Sequence, residues 1–180
     1  MGFAFNSGLD GDILRSKQSG GFEAYPVLFQ FGYQFEKQYL NSGSFQALFE
    51  FIPTISLIND KKVVPSFTVL NGLRSTKNGW EFACGLTFSL NKKAIGYYNE
   101  NNEWILESQI KNKESNINYP FIERLDERGK LTMSSGFIVA IGKTFKSGKL
   151  NIPVNAYVSP STNGIKYGVS FGFNAKKSAR

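Results

Sequence analysis

Histidine is absent from this sequence. With it go the commonest general base at neutral pH and the commonest metal ligand, so a Ser-His-Asp triad cannot form within the chain. Cysteine occurs once, at Cys84, which excludes an internal disulfide framework and any C-x-x-C motif. No phosphate-binding glycine loop and no H-E-x-x-H pattern occur, and no metal or cofactor is expected. No apolar run reaches the roughly eighteen residues of a membrane-crossing helix. The opening MGFAFNSGLDGD lacks a basic segment leading into an apolar one, so no signal peptide is visible, and an exported location requires a mature form or a fragment.

Aromatic side chains and glycine are abundant: the chain holds 17 phenylalanines and 18 glycines. Its mean hydropathy of -0.24 is nevertheless that of an ordinary soluble protein. The two facts agree if hydrophobicity is sorted by face. At 180 residues a single domain spanning 1–180 is expected.

The sorting is visible in YPVLFQFGYQF, where Tyr25, Val27, Phe29, Phe31, Tyr33 and Phe35 occupy every second position. Side chains alternate between the faces of a strand, so these six form one apolar face. The pattern returns in FQALFEFIPTISL (45–57, with Phe49 and Phe51), VVPSFTVLNGL (63–73) and WEFACGLTFSL (80–90, with Phe82, Cys84 and Phe88). It returns again in SSGFIVAIGKTF (134–145), LNIPVNAYVSP (150–160) and IKYGVSFGF (165–173), while GFAFNSGL at 2–9 is a weaker instance. Period-two alternation without comparable helical periodicity predicts an all-β protein of about eight strands. Pro26, Pro53, Pro65 and Pro153 interrupt the pattern and mark bulges or edges, because proline cannot donate to a ladder.

Two barrels fit this pattern, and they differ in which face is wet. A soluble lipocalin-like barrel turns its apolar face inward around an apolar ligand and needs a charged exterior. Of the 21 basic and 14 acidic residues, however, only Glu50, Glu81, Lys143 and Lys166 fall within the seven strong segments. The alternate face is mostly Gly, Ser, Thr, Ala, Asn and Gln, which suits a narrow lumen. The expected architecture is therefore an antiparallel up-and-down transmembrane β-barrel with its Phe-rich face in lipid. The four strand charges are then assigned to the lumen as a polar network, with Glu81 and Lys143 pairing across neighbouring strands.

The connections alternate in length. LNSG, RSTKN and KSGK are short turns, and the basic residues on and near them (Arg74, Lys77, Lys146, Lys149, with Lys176, Lys177 and Arg180 in the tail) gather at one end. In the usual orientation that end faces the periplasm; the opposite orientation would offer it to lipopolysaccharide phosphates. LDGDILRSKQSGG (9–21) and a long segment at about 91–131 are expected as loops at the other end. The long segment holds the candidates for a protein or glycan partner: a hairpin turning at Asn99 to Asn102 that projects Tyr97, Tyr98 and Trp104, followed by Tyr119 and Phe121. The alternative is a hairpin that packs these aromatics on itself as a cap. Cations lying in turns rather than on a stacking platform argue against nucleic acid.

FGYQFEKQYLNSGSFQALFEF, NGLRSTKNGWEFACG, GKTFKSGKLNIPVNAYVSP and YGVSFGFN resemble a little-characterised family of outer-membrane β-barrel domains from Bacteroidota-type bacteria. The resemblance covers most of the chain outside about 99–130. It implies a Gram-negative envelope location and a barrel, and no catalytic residues come with it. The expected function is a non-enzymatic anchor or loop-mediated binding platform. A lipid-modifying enzyme, which would need a nucleophile and base on the outer rim, is the reading from another class.

Overall fold

The computed structural model describes residues 1–18, 20–58, 62–110, 120–147 and 150–175. In chain order the elements are β1 (Gly2–Asn6), α1 (Gly8–Arg15), β2 (Val27–Gly32), β3 (Phe35–Asn41), β4 (Phe45–Ile58), β5 (Lys62–Ser75) and β6 (Trp80–Tyr98). β7 (Trp104–Leu106), β8 (Ile122–Leu125), β9 (Lys130–Ser147), β10 (Leu150–Ser161), β11 (Gly164–Phe171) and β12 (Asn174–Ala175) follow. Eight of these strands close an antiparallel barrel in the order β1-β2-β4-β5-β6-β9-β10-β11, with β11 pairing back onto β1. β3 continues the line of β2 along β4, and β12 continues that of β11 along β10.

The apolar alternation faces outward. Phe29, Phe31, Phe35, Phe49, Phe51 and Phe82 are exposed, and neighbouring rings touch around the wall. Phe35, Phe51, Phe67 and Phe88 cross four adjacent strands with centroid separations of 6.2, 5.9 and 4.8 Å. The inner face is filled rather than hollow. Leu14, Ala4, Leu28 and Ile58 pack together toward one end, and Leu70, Ala83 and Ile138 form a second layer bridged to the first by Tyr157. The Tyr157 hydroxyl meets the Gln30 side chain, which itself donates to Ser56 at 3.1 Å.

Two prolines shape the wall. The Pro53 carbonyl accepts a hydrogen bond from Tyr33 N at 3.1 Å, so its nitrogen, which has no proton to give, faces the same edge. The ladder breaks there, between β2 and β3. Pro153 repeats the device on β10: its carbonyl accepts from Gly172 N at 3.0 Å, and the ladder breaks between β11 and β12.

A helix, α1, stands where the sequence predicts a loop over 9–21. Leu9, Ile13 and Leu14 fall on one side of a turn-and-a-half spacing that is too short to stand out as a helical period. Tertiary packing rescues it: Ile13 and Leu14 are buried, and Leu14 plugs the lumen. Ser7 sits at the N-cap, yet its hydroxyl is used elsewhere, donating to Ile165 O at 2.9 Å and fastening the helix start to β11.

The segment at 91–131 is also more regular than a loop. β6 is 19 residues long and β9 is 18, well beyond the roughly ten a barrel wall needs, so both strands continue above it. Lys93 pairs with both Leu125 of β8 and Lys130 of β9, which places those strands on opposite edges of β6. The chain between them crosses the face of β6, and a Cβ at Gly129 would lie 2.1 Å from Lys93 O. Only glycine permits that approach.

Candidate functional site: a sealed cap and a charge cluster

The cap is built around Asp126, which is fully buried at the crossover. Its carboxylate accepts Trp104 Nε1 at 2.9 Å, Arg128 N at 2.9 Å, and Arg128 Nε and Nη2 at 3.0 and 2.8 Å. Burial would raise this carboxyl, but the hydrogen bonds from Arg128 and Trp104 and the Arg128 charge outweigh it and hold the group below its ordinary value. Arg124 lies with its guanidinium carbon 4.1 Å from the Trp104 ring centroid and hydrogen-bonds the Tyr98 hydroxyl. Glu127 N donates to Gly20 O at 2.8 Å, and a Cβ at Gly20, whose φ is +76°, would collide with the Asp126 carboxylate. The crossover is thereby bolted onto the segment that follows α1.

These contacts show how the described part of the long segment packs. The hairpin turns where expected, with Asn99 N donating to Glu103 O at 3.0 Å and Asn102 at φ +60°. It does not project its aromatics: Trp104 is 5% exposed and packs on Tyr98 at 5.2 Å. Tyr97 stacks edge-on with Phe121 at 5.6 Å, and Phe121 stays largely exposed. Tyr119 lies outside the described residues. A recess of about 220 Å³ between α1 and the cap, lined by Asp12, Ile13, Ser16, Tyr98 and Arg124 among others, is smaller than the roughly 300 Å³ at which ordinary ligand sites begin.

The strand charges separate into three places. Lys166 is on the lumen face of β11, where the Asp10 carboxylate of α1 acts on it. Lys143 is not in the lumen. Counting by twos from the exposed Phe137 and Ile141 reaches Lys143, and its ammonium lies over the exposed Trp80 ring at 5.3 Å and the Phe145 ring at 5.6 Å. The expected Glu81–Lys143 pair is therefore corrected: the two side chains are on opposite faces of the wall, and Lys143 is directly opposite Trp80.

Glu81 instead pairs with Arg74, directly across the β5–β6 ladder, at 2.6 Å. Arg74 had the look of a turn residue; strand β5 runs through it and turns it inward. Its other two nitrogens grip Glu36 of β3 at 2.7 and 2.5 Å. Glu36 in turn stands opposite Glu50 on β4. Glu50 is 2% exposed and its Oε1 has no hydrogen-bond partner among the described residues. The result is three carboxylates around one guanidinium, of which sequence spacing signalled Glu50 and Glu81 but neither Glu36 nor Arg74.

No protein-family description, no curated protein and no solved structure matches this chain.

Proposed function

We propose that this chain is a non-enzymatic β-barrel of a Gram-negative outer membrane, acting as an anchor or binding platform. One observation carries the reading: the closed barrel turns its Phe, Val, Leu and Ile side chains outward all round, including Phe3, Phe29, Phe51, Phe82, Phe137 and Val169. An apolar exterior on this scale costs free energy in water and gains it in hydrocarbon, where a closed barrel also leaves few backbone groups unpaired. The resemblance to Bacteroidota-type outer-membrane barrels supports the same location. The filled lumen argues against both a conducting pore and an apolar ligand chamber of the lipocalin kind. Outer-membrane lipid is the first partner under this reading; with Trp104 inside the cap, the Tyr97–Phe121 pair is, among the described residues of the long segment, the aromatic surface offered to a protein or glycan.

Circular dichroism of the refolded chain, with and without detergent micelles, tests the proposal alongside the gel mobility of unheated and boiled samples. A β spectrum and a heat-dependent mobility shift that both require detergent are expected. A folded monomer in plain buffer would overturn the membrane reading.

A further inference from the structure

The row of ladder partners that leaves β4 at Ala47 passes once around the wall and returns to β4 at Leu57, ten residues farther on. That offset over eight strands tilts them by about 40° from the barrel axis, so each residue climbs about 2.5 Å along it. Heights on the wall follow from the pairing alone.

Charge on the outer face is sparse and of one sign. In the closed wall and β3 the carboxylates Glu36, Glu50 and Glu81 turn inward. The outward charges among the described residues there are three lysines: Lys37 opposite the exposed Phe49, Lys143 opposite the exposed Trp80, and Lys92 opposite the exposed Leu131. Lys37, Lys143 and Trp80 stand within about 3 Å of one height, and Lys92 stands about 27 Å above Lys143. That spacing is close to the roughly 25 Å apolar band of an outer-membrane barrel. Lys92 already donates to Glu127 O at 3.3 Å. Lys37 and Lys143 meet no carboxylate among the described residues. Lys143 is held in place, with its ammonium 5.3 Å from the Trp80 ring centroid and 5.6 Å from that of Phe145, both rings being exposed.

We propose that Trp80, Lys143 and Phe145 form a contact site for the phosphate of an anionic membrane lipid, at the edge of the hydrocarbon on the short-turn end, with Lys37 a second contact at the same height. The inference rests on the proposed bilayer location and names the lipid chemistry selected there. An ammonium turned toward hydrocarbon without a counter-charge is costly. At this height the groups beside the wall are lipid headgroups, and their phosphates offer the negative charge that the outer face of the chain does not. Trp80 marks the same boundary, since indoles are favoured where hydrocarbon meets headgroups. The two ring faces attract the ammonium and fix it at that level.

Quenching of Trp80 by brominated lipid tests the site. The refolded chain is placed in vesicles of phosphatidylcholine and phosphatidylglycerol in which one lipid or the other carries the bromine at equal mole fraction. Trp104 is 5% exposed inside the cap, so the response belongs to Trp80, and Trp80→Phe should abolish it. Brominated phosphatidylglycerol is expected to be enriched about fivefold beside Trp80 over brominated phosphatidylcholine, the factor of one lysine at an anionic surface. Lys143→Gln should remove the preference, Lys143→Arg should keep it, and high salt should weaken it. Equal quenching by the two lipids in the unaltered chain overturns the site, whether or not the variants fold, and leaves the bilayer location standing. A preference that persists in Lys143→Gln overturns the role of Lys143. Vesicles that float free of the chain, with no quenching by either lipid, overturn the bilayer location itself; a bound chain without quenching overturns the height assigned to Trp80.

Discussion

Asp126 at one end of the barrel and Glu50 at the other are both almost inaccessible, at 0% and 2% exposure, yet they have opposite surroundings. Asp126 is met by an arginine fork, an indole and a backbone amide, all delivered by the crossover and the hairpin. Glu50 faces another acid, and the nearest cation is already divided between Glu36 and Glu81. The capped end closes on itself through α1 and a surplus of donors. At the opposite end, among the described residues, acidic acceptors outnumber the cations that meet them. Buried carboxylates of similar accessibility thus differ in how they are satisfied, because the cap supplies several donors to one acid whereas Glu36 and Glu81 share a single cation beside Glu50.

The largest expected effect comes from deepening that asymmetry. Arg74→Leu would leave three carboxylates without a cation and should destabilise the barrel by about 3–5 kcal/mol, measured by urea unfolding in micelles. A loss below about 1 kcal/mol would show that the acids find another partner, and would blur the contrast between the ends. Leu14→Ala removes the side chain that plugs the lumen beneath α1, and about 3 kcal/mol should go with it by the same measurement.

Asp126→Asn keeps the shape of the cap but removes its charge, at about 2 kcal/mol. In a Trp80→Phe background the fluorescence of Trp104 should then shift to the red as the cap loosens; an unshifted spectrum would show that the aromatic packing holds the cap without the carboxylate. The pH dependence follows the same group. A carboxyl held below its ordinary value of 3.8 contributes its full stability above that pH and loses it as pH falls through the folded-state value. The native cap should therefore open only in acid below about pH 4, and Asp126→Asn should lack that transition. The smallest effect separates true from apparent partners: a double-mutant cycle of Glu81→Ala with Lys143→Ala should show coupling within about 0.5 kcal/mol of zero. A coupling well above that would return Lys143 to the lumen.

The barrel itself was legible because alternation is a local property: each strand announces its two faces over ten residues, and seven such segments leave an all-β barrel as the consistent reading. The same parity, followed from Phe137, places Lys143 on the outside. The helix at 8–15 was illegible, since eight residues carry too little periodicity and its stability comes from the lumen it fills. The cluster of three carboxylates and Arg74 was half legible. Glu50 and Glu81 stood out as acids in apolar strands, whereas Glu36 and Arg74 resembled ordinary turn-flanking charges until pairing brought them together.

Sequence alone determined which side chains share a face, through the two-residue period of an extended chain, and the proline positions that limit the ladders. Tertiary structure decided what meets what across long separations: Arg74 with Glu36, 38 residues apart, Trp104 with Asp126, and Gly20 beneath the crossover. Those meetings depend on strand register and closure, which are set by the whole wall at once and by no single segment of it.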